Sequence, residues 1–215
     1  MEKDLKNYKA YLFDLDGTLV NSEPLKGRAI ALTCHDYGFP VDYHLYQTVM
    51  GQHWSAVTAH FFQHAGFNPD QAEFDQKFRA HYEQLLAREL ALNPGVSDYL
   101  QSLQDAGQPC AVVSSGARWM VENILSAMQI AKIFSVVIAR EDVTRHKPDP
   151  QGYLSALSQL GVAPQDALIF EDSAAGIESG IASGCDVVAF AHEFNANNDL
   201  SQAVQVISDY SQMGR

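Results

Sequence analysis

The fold is decided by one stretch near the amino end of the chain, Tyr11-Leu12-Phe13-Asp14-Leu15-Asp16-Gly17-Thr18. An apolar run from Tyr8 to Phe13 ends at two aspartates one residue apart, and a glycine and a threonine follow. A short apolar run bounded by turn residues is typical of a buried strand in a parallel sheet. Because ligands of open α/β sheets bind beyond the carboxyl ends of the strands, this stretch is predicted to bring two carboxylates to a ligand site.

The spacing of the two aspartates suggests a shared task. Residues two apart in an extended chain point to the same side, so Asp14 and Asp16 are expected to face one ligand, with Leu15 turned into the core. Two crowded carboxylates favour a hard cation or an acid–base pair. The alternative, a loop with solvated aspartates, is disfavoured because the apolar run before them predicts a strand.

Composition narrows the class of protein. The chain has 215 residues, of which 47% are hydrophobic, enough for one large domain or one domain with an insertion. No apolar run approaches the roughly 20 residues that span a bilayer. The segment Met1 to Lys9 is charged and no run of the signal-peptide type follows it. We therefore expect a cytoplasmic protein with no membrane partner. We also expect a monomer.

The net charge and the cysteines exclude further classes of protein. The formal net charge of −12 argues against a nucleic-acid partner, whose phosphates require a basic surface. A site for an anionic substrate must then be made positive locally, by a metal, a few lysines and backbone amides. Cys34, Cys110 and Cys185 lie far apart without metal-ligand spacing, so we expect buried free thiols.

The order of elements predicts the architecture. After Asn93, helices at about 95–106, 117–128, 150–160 and 174–182 alternate with apolar runs at 109–113, 133–139, 167–170, 187–190 and 204–207. Such alternation indicates a parallel sheet built from βαβ units. From 22 to 90 only helical spacing is found, for example at Phe74, Phe78 and Tyr82. The predicted fold class is α/β, a Rossmann-like parallel-sheet core over 1–21 and 91–215 with an inserted α-helical bundle over 22–90.

Polar residues recur where the predicted strands end. Val113 runs into Ser114 and Ser115, the run ending near 139 leads to a loop that holds Lys147, and Phe170 is followed by two acids. All are expected at one edge of the sheet. The acids suited to one Mg²⁺ are Asp14, Asp16, Glu171 and Asp172.

The other polar residues suit a phosphate. Ser114 and neighbouring amides offer donors to phosphate oxygens. Lys147 adds a point charge that can bridge the phosphate and an aspartate, and Thr18 adds a hydroxyl and an amide.

These motifs resemble those of the haloacid dehalogenase-like hydrolase superfamily. The residues that carry the resemblance are Asp14-Leu-Asp-Gly-Thr18, the Ser114 strand end, Lys147-Pro and Glu171-Asp172-Ser-Ala-Ala-Gly176. The insertion directly after the first motif resembles the helical cap domain of the branch that includes β-phosphoglucomutase and many sugar-phosphate phosphatases. In that branch the cap closes over the substrate and excludes water.

The resemblance implies a role for each residue. Asp14 is expected to be the nucleophile that forms an aspartyl-phosphate, and Asp16 the general acid and then the general base. Ser114 and Lys147 would hold the phosphate, with Thr18 and Ser115 as further contacts. Mg²⁺ would be bound by Asp14, the main-chain carbonyl of Asp16 and Asp172, while Glu171 holds a metal-bound water or orients Asp172.

Departures from relatives decide between reactions. Dehalogenases and phosphonatases lack an acid at the position of Asp16, so neither chemistry is expected. β-Phosphoglucomutase has an arginine, which grips the second phosphate, where Trp54 stands here. Hydrolysis of a small phosphorylated metabolite, a sugar phosphate, is therefore expected, with a phosphosugar mutase or a regulatory binding protein as alternatives. Lys26 and His53 are the predicted substrate-selecting residues of the cap.

Overall fold

The computed structural model describes residues 8–214, and its centre is a sheet of six strands in the order β3-β2-β1-β4-β5-β6. The strands are β1 (Ala10–Phe13), β2 (Cys110–Val113), β3 (Phe134–Ile138), β4 (Ala167–Glu171), β5 (Asp186–Phe190) and β6 (Gln205–Ile207). Every neighbouring pair is parallel. The fold class predicted from the sequence, α/β with a Rossmann-like parallel sheet and an inserted helical bundle, is confirmed.

Strand β1 lies in the middle of the sheet because both of its faces are apolar. Its residues alternate, as the period of a strand requires. Leu12 belongs to a core cluster with Tyr153 and Leu157, whereas Phe13 stacks on Phe170 on the opposite face. A strand covered on both sides is the usual state in an all-parallel sheet, and it explains the uninterrupted apolar run.

Four helices connect the strands: α4 (Val96–Asp105), α5 (Arg118–Ala127), α6 (Gln151–Leu160) and α7 (Ala174–Ala182). Helices α6 and α7 contact the strands from the side of Leu12. On the other side, Tyr99 of α4 and the fully buried Tyr210 form an aromatic cluster with Phe13 and Phe170. The predicted positions of these elements are within about two residues of the observed ones.

The chain turns sharply where β1 ends. The Asp14 amide still donates to the Phe170 carbonyl at 2.9 Å, but the amide of Gly17 donates to the Val20 carbonyl at 2.8 Å. Asp16 makes an isolated bridge with Val20 and is not part of a continuing strand. Strand β1 thus ends before Asp14, and the turn begins directly after Leu15, which is fully buried as expected.

The second compact unit of the described chain is Asn21–Ala91, and the first comprises 8–20 and 92–214. The second unit contains α1 (Ser22–Asp36), a 3₁₀ helix (Tyr43–Thr48), α2 (Trp54–Ala65) and α3 (Gln71–Glu89). Helix α3 buries the residues whose spacing predicted it, Phe74, Phe78 and Tyr82. The predicted boundaries, 22–90, differ from this division by one residue at each end, and residues 1–7 and 215 of the predicted core lie outside the described residues.

The two crossings between these segments are adjacent in space. Val20 and Leu92 form an antiparallel bridge, and the Asn21 amide donates to the Ala91 carbonyl at 3.1 Å. The Ala91 amide in turn donates to Asn21 Oδ1 at 2.8 Å. The inserted segment thus leaves and rejoins the chain at one point.

Two further expectations concern burial and membranes. Cys34, Cys110 and Cys185 are buried free thiols, as predicted. Among residues 8–214, no helix combines the length and the apolar character needed to cross a bilayer.

Candidate active site

Lys147 joins the carboxyl ends of three adjacent strands. Its Nζ donates to Asp14 Oδ1 at 2.5 Å, after β1, and to Glu171 Oε1 at 2.5 Å, at the end of β4. It also donates to the carbonyl of Val113, the last residue of β2, at 2.9 Å. The Lys147 side chain is only 8% exposed, so these charge-assisted hydrogen bonds form away from bulk water and hold the three strand ends together.

Glu171 is completely buried and accepts hydrogen bonds at both oxygens. Oε1 accepts from Lys147 and, at 2.7 Å, from the hydroxyl of Tyr153 on α6. Oε2 accepts from the amide of Asp172 at 3.1 Å and from the Ser173 hydroxyl at 3.2 Å. A Cβ at Gly176 would overlap the Glu171 carboxylate, so the first turn of α7 must present glycine there. A buried carboxylate with this many donors is fixed in place.

Asp172 is held by side chains from two other segments. The Thr18 hydroxyl donates to Oδ1 at 3.3 Å, and His192 Nε2 contacts Oδ2 at 2.9 Å. Asn195, 1% exposed, donates to the main-chain carbonyl of Asp172 at 2.8 Å. A Cβ at Gly17 would overlap Asp172 Oδ2, so the glycine of the first motif makes room for this carboxylate.

Three of the acids form a group suited to a metal ion. Ligand oxygens of Asp14, Glu171 and Asp172, all buried, lie within 4.8 Å of one another. With Asp16 these are four buried carboxylates, and Lys147 pairs with two of them, so four negative charges and the positive charge of Lys147 leave a formal excess of three negative charges. Oxygen ligands and uncompensated negative charge fit a divalent cation such as Mg²⁺.

The titration behaviour of Asp14 and Lys147 follows from the same crowding. Burial raises the pKa of Asp14 well above its ordinary value, Lys147 opposes the shift, and the charges of Glu171, Asp172 and Asp16 add to it. Burial alone would lower the pKa of Lys147, but Asp14 and Glu171 outweigh it and the pKa is raised. Lys147 therefore stays protonated, and a bound cation would favour the ionised form of Asp14.

Asp16 and Ser114 both lie beside Gly116. Their side-chain oxygens are 3.5 and 3.1 Å from the position that a Cβ of Gly116 would take. Ser114 Oγ accepts from the Gly116 amide at 2.9 Å, and the Ser114 amide donates to the Ile138 carbonyl at 2.9 Å. Ser114 is buried, whereas Ser115 is exposed. The carboxylate of Asp16 is not part of the three-acid group.

Asn93 fixes the turn that carries Asp16. Its Nδ2 donates to the carbonyls of Gly17 and Thr18 at 2.7 and 2.9 Å, and Asn93 is 8% exposed. Two carbonyls of a tight turn are thus satisfied by one amide.

The predicted substrate residues of the insertion have local contacts of their own. Lys26 Nζ donates to Glu23 Oε1 at 3.1 Å and its side chain is 12% exposed. His53 caps α2, accepting from the Ser55 amide. Trp54 donates through Nε1 to Asp75 at 2.9 Å and packs against Phe78, the packing expected of an internal residue of this unit.

Three residues of the site were not predicted from the sequence: Tyr153, Asn93 and His192. His192 stands two residues after the end of β5, close to where polar residues follow β1, β2 and β4. Applying the strand-end rule to β5 would have found it. Tyr153 and Asn93 have no comparable signal, because a buried tyrosine on a helix and an asparagine before a proline are common.

The chain resembles known proteins over most of its length. A family model described as haloacid dehalogenase-like hydrolase matches residues 11–190. Over 210 residues the chain is 33% identical to the validoxylamine A 7'-phosphate phosphatase of Streptomyces hygroscopicus subsp. limoneus, with 96% of each protein covered. It is 32% identical to hexitol phosphatase A of Escherichia coli (strain K12) over 183 residues, covering 84% of this chain and 82% of that protein.

A solved structure agrees with these sequence matches. The structure of CbbY from Rhodobacter sphaeroides in complex with phosphate superimposes with a TM-score of 0.87 at 27% identity, covering 96% of each chain. The family match runs from β1 to the last residue of β5 and includes Asp14, Ser114, Lys147, Glu171 and Asp172. Sequence, fold and the acids around Lys147 therefore agree, and the chain belongs to the haloacid dehalogenase-like hydrolase family.

Proposed function

We propose that this protein is a Mg²⁺-dependent phosphatase that hydrolyses a small phosphorylated metabolite, a sugar phosphate, through an aspartyl-phosphate on Asp14. The observation that carries the proposal is the buried Asp14 carboxylate, held by Lys147 within a group of acids at the sheet edge. The similarity to a validoxylamine A 7'-phosphate phosphatase and to hexitol phosphatase A supports the substrate class.

In the first step, an oxygen of Asp14 attacks phosphorus and the bond from phosphorus to the substrate oxygen breaks. Asp16 donates a proton to the departing oxygen, which leaves as the alcohol. Asp16 and Ser114 lie beside Gly116, near the carboxyl end of β2. The Ser114 hydroxyl is therefore close to the proposed acid, where it can donate to a phosphate oxygen.

In the second step, the ionised Asp16 removes a proton from water, and the water oxygen attacks the phosphorus of the aspartyl-phosphate. The bond between phosphorus and Asp14 breaks, inorganic phosphate leaves, and both aspartates return to their starting states. One residue is acid and then base, as microscopic reversibility requires.

Charge is the main obstacle to the first step. Two unit negative charges about 4 Å apart repel by about 4 kcal/mol at a surface-like dielectric, which corresponds to about three orders of magnitude in rate. Lys147, in contact with Asp14, offsets part of this repulsion. A Mg²⁺ ion held by Asp14, Asp172 and the main-chain carbonyl of Asp16 would supply the rest by neutralising charge on the phosphate.

The role that fits Glu171 is to anchor Lys147. Its Oε1 is shared between Lys147 and Tyr153, and its Oε2 accepts from the segment that carries Asp172. Glu171 would thus position both the ammonium and the metal-binding aspartate.

The experiment is phosphate release from a panel of sugar, polyol and aryl phosphates, with Mg²⁺ or with EDTA. We expect Asp14→Asn, which keeps the size of the side chain, to lose several orders of magnitude in kcat/KM. Asp98→Asn, which changes an exposed aspartate, is the control and should match the wild type. Equal rates for wild type and Asp14→Asn, or full activity in EDTA, would refute the proposal.

Asp16→Asn tests the division of roles. With p-nitrophenyl phosphate, whose leaving group needs no proton, we expect about one equivalent of nitrophenol followed by a stall, because the second step has lost its base.

Conversion of a hexose 1-phosphate to its 6-phosphate that depends on a bisphosphate, without phosphate release, would instead indicate the mutase. Trp54 packs inside its own unit, and no arginine occupies that position to bind a second phosphate.

A further inference from the structure

His192 contacts Asp172, a proposed metal ligand, from the end of a strand that no catalytic motif includes. Its Nε2 is 2.9 Å from Asp172 Oδ2, and the two side chains are 18% and 4% exposed. Across 20 residues of chain, the segment after β5 thus reaches the acid that follows β4.

The hydrogen bond at the other ring nitrogen fixes the tautomer. The Phe194 amide donates to His192 Nδ1 at 3.2 Å. An amide can only donate, so Nδ1 must present its lone pair, and the neutral ring then carries its hydrogen on Nε2. The contact with Asp172 is therefore an N–H donated to the carboxylate.

The segment around His192 is itself rigidly held. Asn195 accepts from the His192 amide at 2.8 Å and donates to the carbonyls of Phe190 and Asp172, each at 2.8 Å. The ring and the carboxylate also pack against the Gly17 backbone, where a Cβ would be 3.0 Å from His192 Nε2. One short segment therefore hydrogen-bonds to both the main chain and the side chain of Asp172.

We infer that His192 is a positioning residue for the metal site: its Nε2–H fixes the orientation of the Asp172 carboxylate and thereby sets the affinity for a divalent cation. The inference rests on the proposed function, in which Asp172 binds Mg²⁺. A neutral donor orients the carboxylate without adding a positive charge that would repel the cation. Removal of such an outer partner of a metal ligand typically costs about 10-fold to 100-fold in affinity.

Two substitutions separate positioning from local structure. In His192→Asn the amide oxygen stands near the place of Nδ1 and can still accept from Phe194, but the side chain is too short to donate to Asp172. In His192→Gln the amide nitrogen reaches the place of Nε2 and can donate to Asp172. His64→Asn, at an exposed histidine of α2, is the matched control.

The measurement is binding of Mn²⁺ to the full chain, followed by loss of the EPR signal of the free ion, with thermal melting without metal as a check of folding. Mn²⁺ takes the oxygen ligands that Mg²⁺ takes. We expect the Kd of His192→Asn to rise by at least about 10-fold. The Kd of His192→Gln and of His64→Asn should stay within about threefold of the wild-type value.

The outcomes are distinct. Wild-type Kd in both His192 variants, or an equal rise in both, would overturn the positioning role. If the wild type itself binds no Mn²⁺, the proposed metal site fails and the inference fails with it. A higher Kd for Mn²⁺ in His192→Asn together with a wild-type Kd in His192→Gln would support the inference, whatever the substrate is.

Discussion

At the scale of single residues, Gly17 is required at the sheet edge for two separate reasons. Gly17 adopts a φ of +79°, which already favours glycine, and its missing side chain also leaves room for the Asp172 carboxylate. Backbone strain and crowding therefore act at the same position. The glycine of the first motif therefore serves both the turn and the position of Asp172.

A matched pair of substitutions separates these two effects. Gly107 has a similar φ, +65°, but nothing lies within 4 Å of a Cβ there. Both Gly17→Ala and Gly107→Ala should lose about 1–2 kcal/mol of stability through the left-handed backbone. Only Gly17→Ala should also lose activity, by roughly 100-fold, since Asp172 is displaced.

Denaturant unfolding and phosphatase kinetics on both variants provide the measurement. Equal activity in Gly17→Ala and Gly107→Ala would show that the space beside Asp172 does not matter.

At the scale of elements, helix α6 contributes to the site through one phenol. Tyr153 is completely buried and its hydroxyl donates to Glu171 Oε1 at 2.7 Å. The ring also lies 5.1 Å from Lys147 Nζ. Helix packing and the position of the lysine are therefore linked through one side chain.

Tyr153→Phe keeps the ring and removes this hydrogen bond to a charged group. We expect a loss of about 1.5–3 kcal/mol in the free energy of unfolding in urea. Tyr99→Phe is the control, because the Tyr99 hydroxyl has no hydrogen-bond partner among residues 8–214, and its stability should change little. Equal stability of both variants would contradict the account of Glu171.

The elements themselves could largely be predicted from the sequence. Apolar runs found the strands because a sheet covered on both faces leaves few polar residues within them. Polar residues after Val113 and Phe170 identified the edge. The sequence did not predict the hydrogen bonds of the turn after β1, in which the amides of Leu19 and Val20 donate to the Leu15 carbonyl. His192 follows β5, and the same strand-end rule applied there would have found it.

At the scale of the whole molecule, the three cysteines report the folding of both units, because each unit contains at least one of them. Burial raises the pKa of Cys34 to about 11 and that of Cys110 to about 12, and the pKa of Cys185 is raised by burial as well. Thiolates are the reactive form, so all three should be inert in the native protein at neutral pH.

We expect fewer than one of the 3 thiols to react with Ellman's reagent in the native chain, and all of them in urea. A variant that keeps Cys34 alone reports the unfolding of Asn21–Ala91, and one that keeps Cys110 alone reports the sheet. Rapid reaction of a thiol in the native protein would contradict its burial.

The pairing of Val20 with Leu92 has a consequence for the length of the inserted segment. Doubling the length of a loop whose ends already meet changes its closure entropy by only about 0.6 kcal/mol. The catalytic sheet is therefore nearly indifferent to the size of the cassette spliced in at that junction. An insertion of a different length at this junction should therefore leave the sheet and the acids around Lys147 in place.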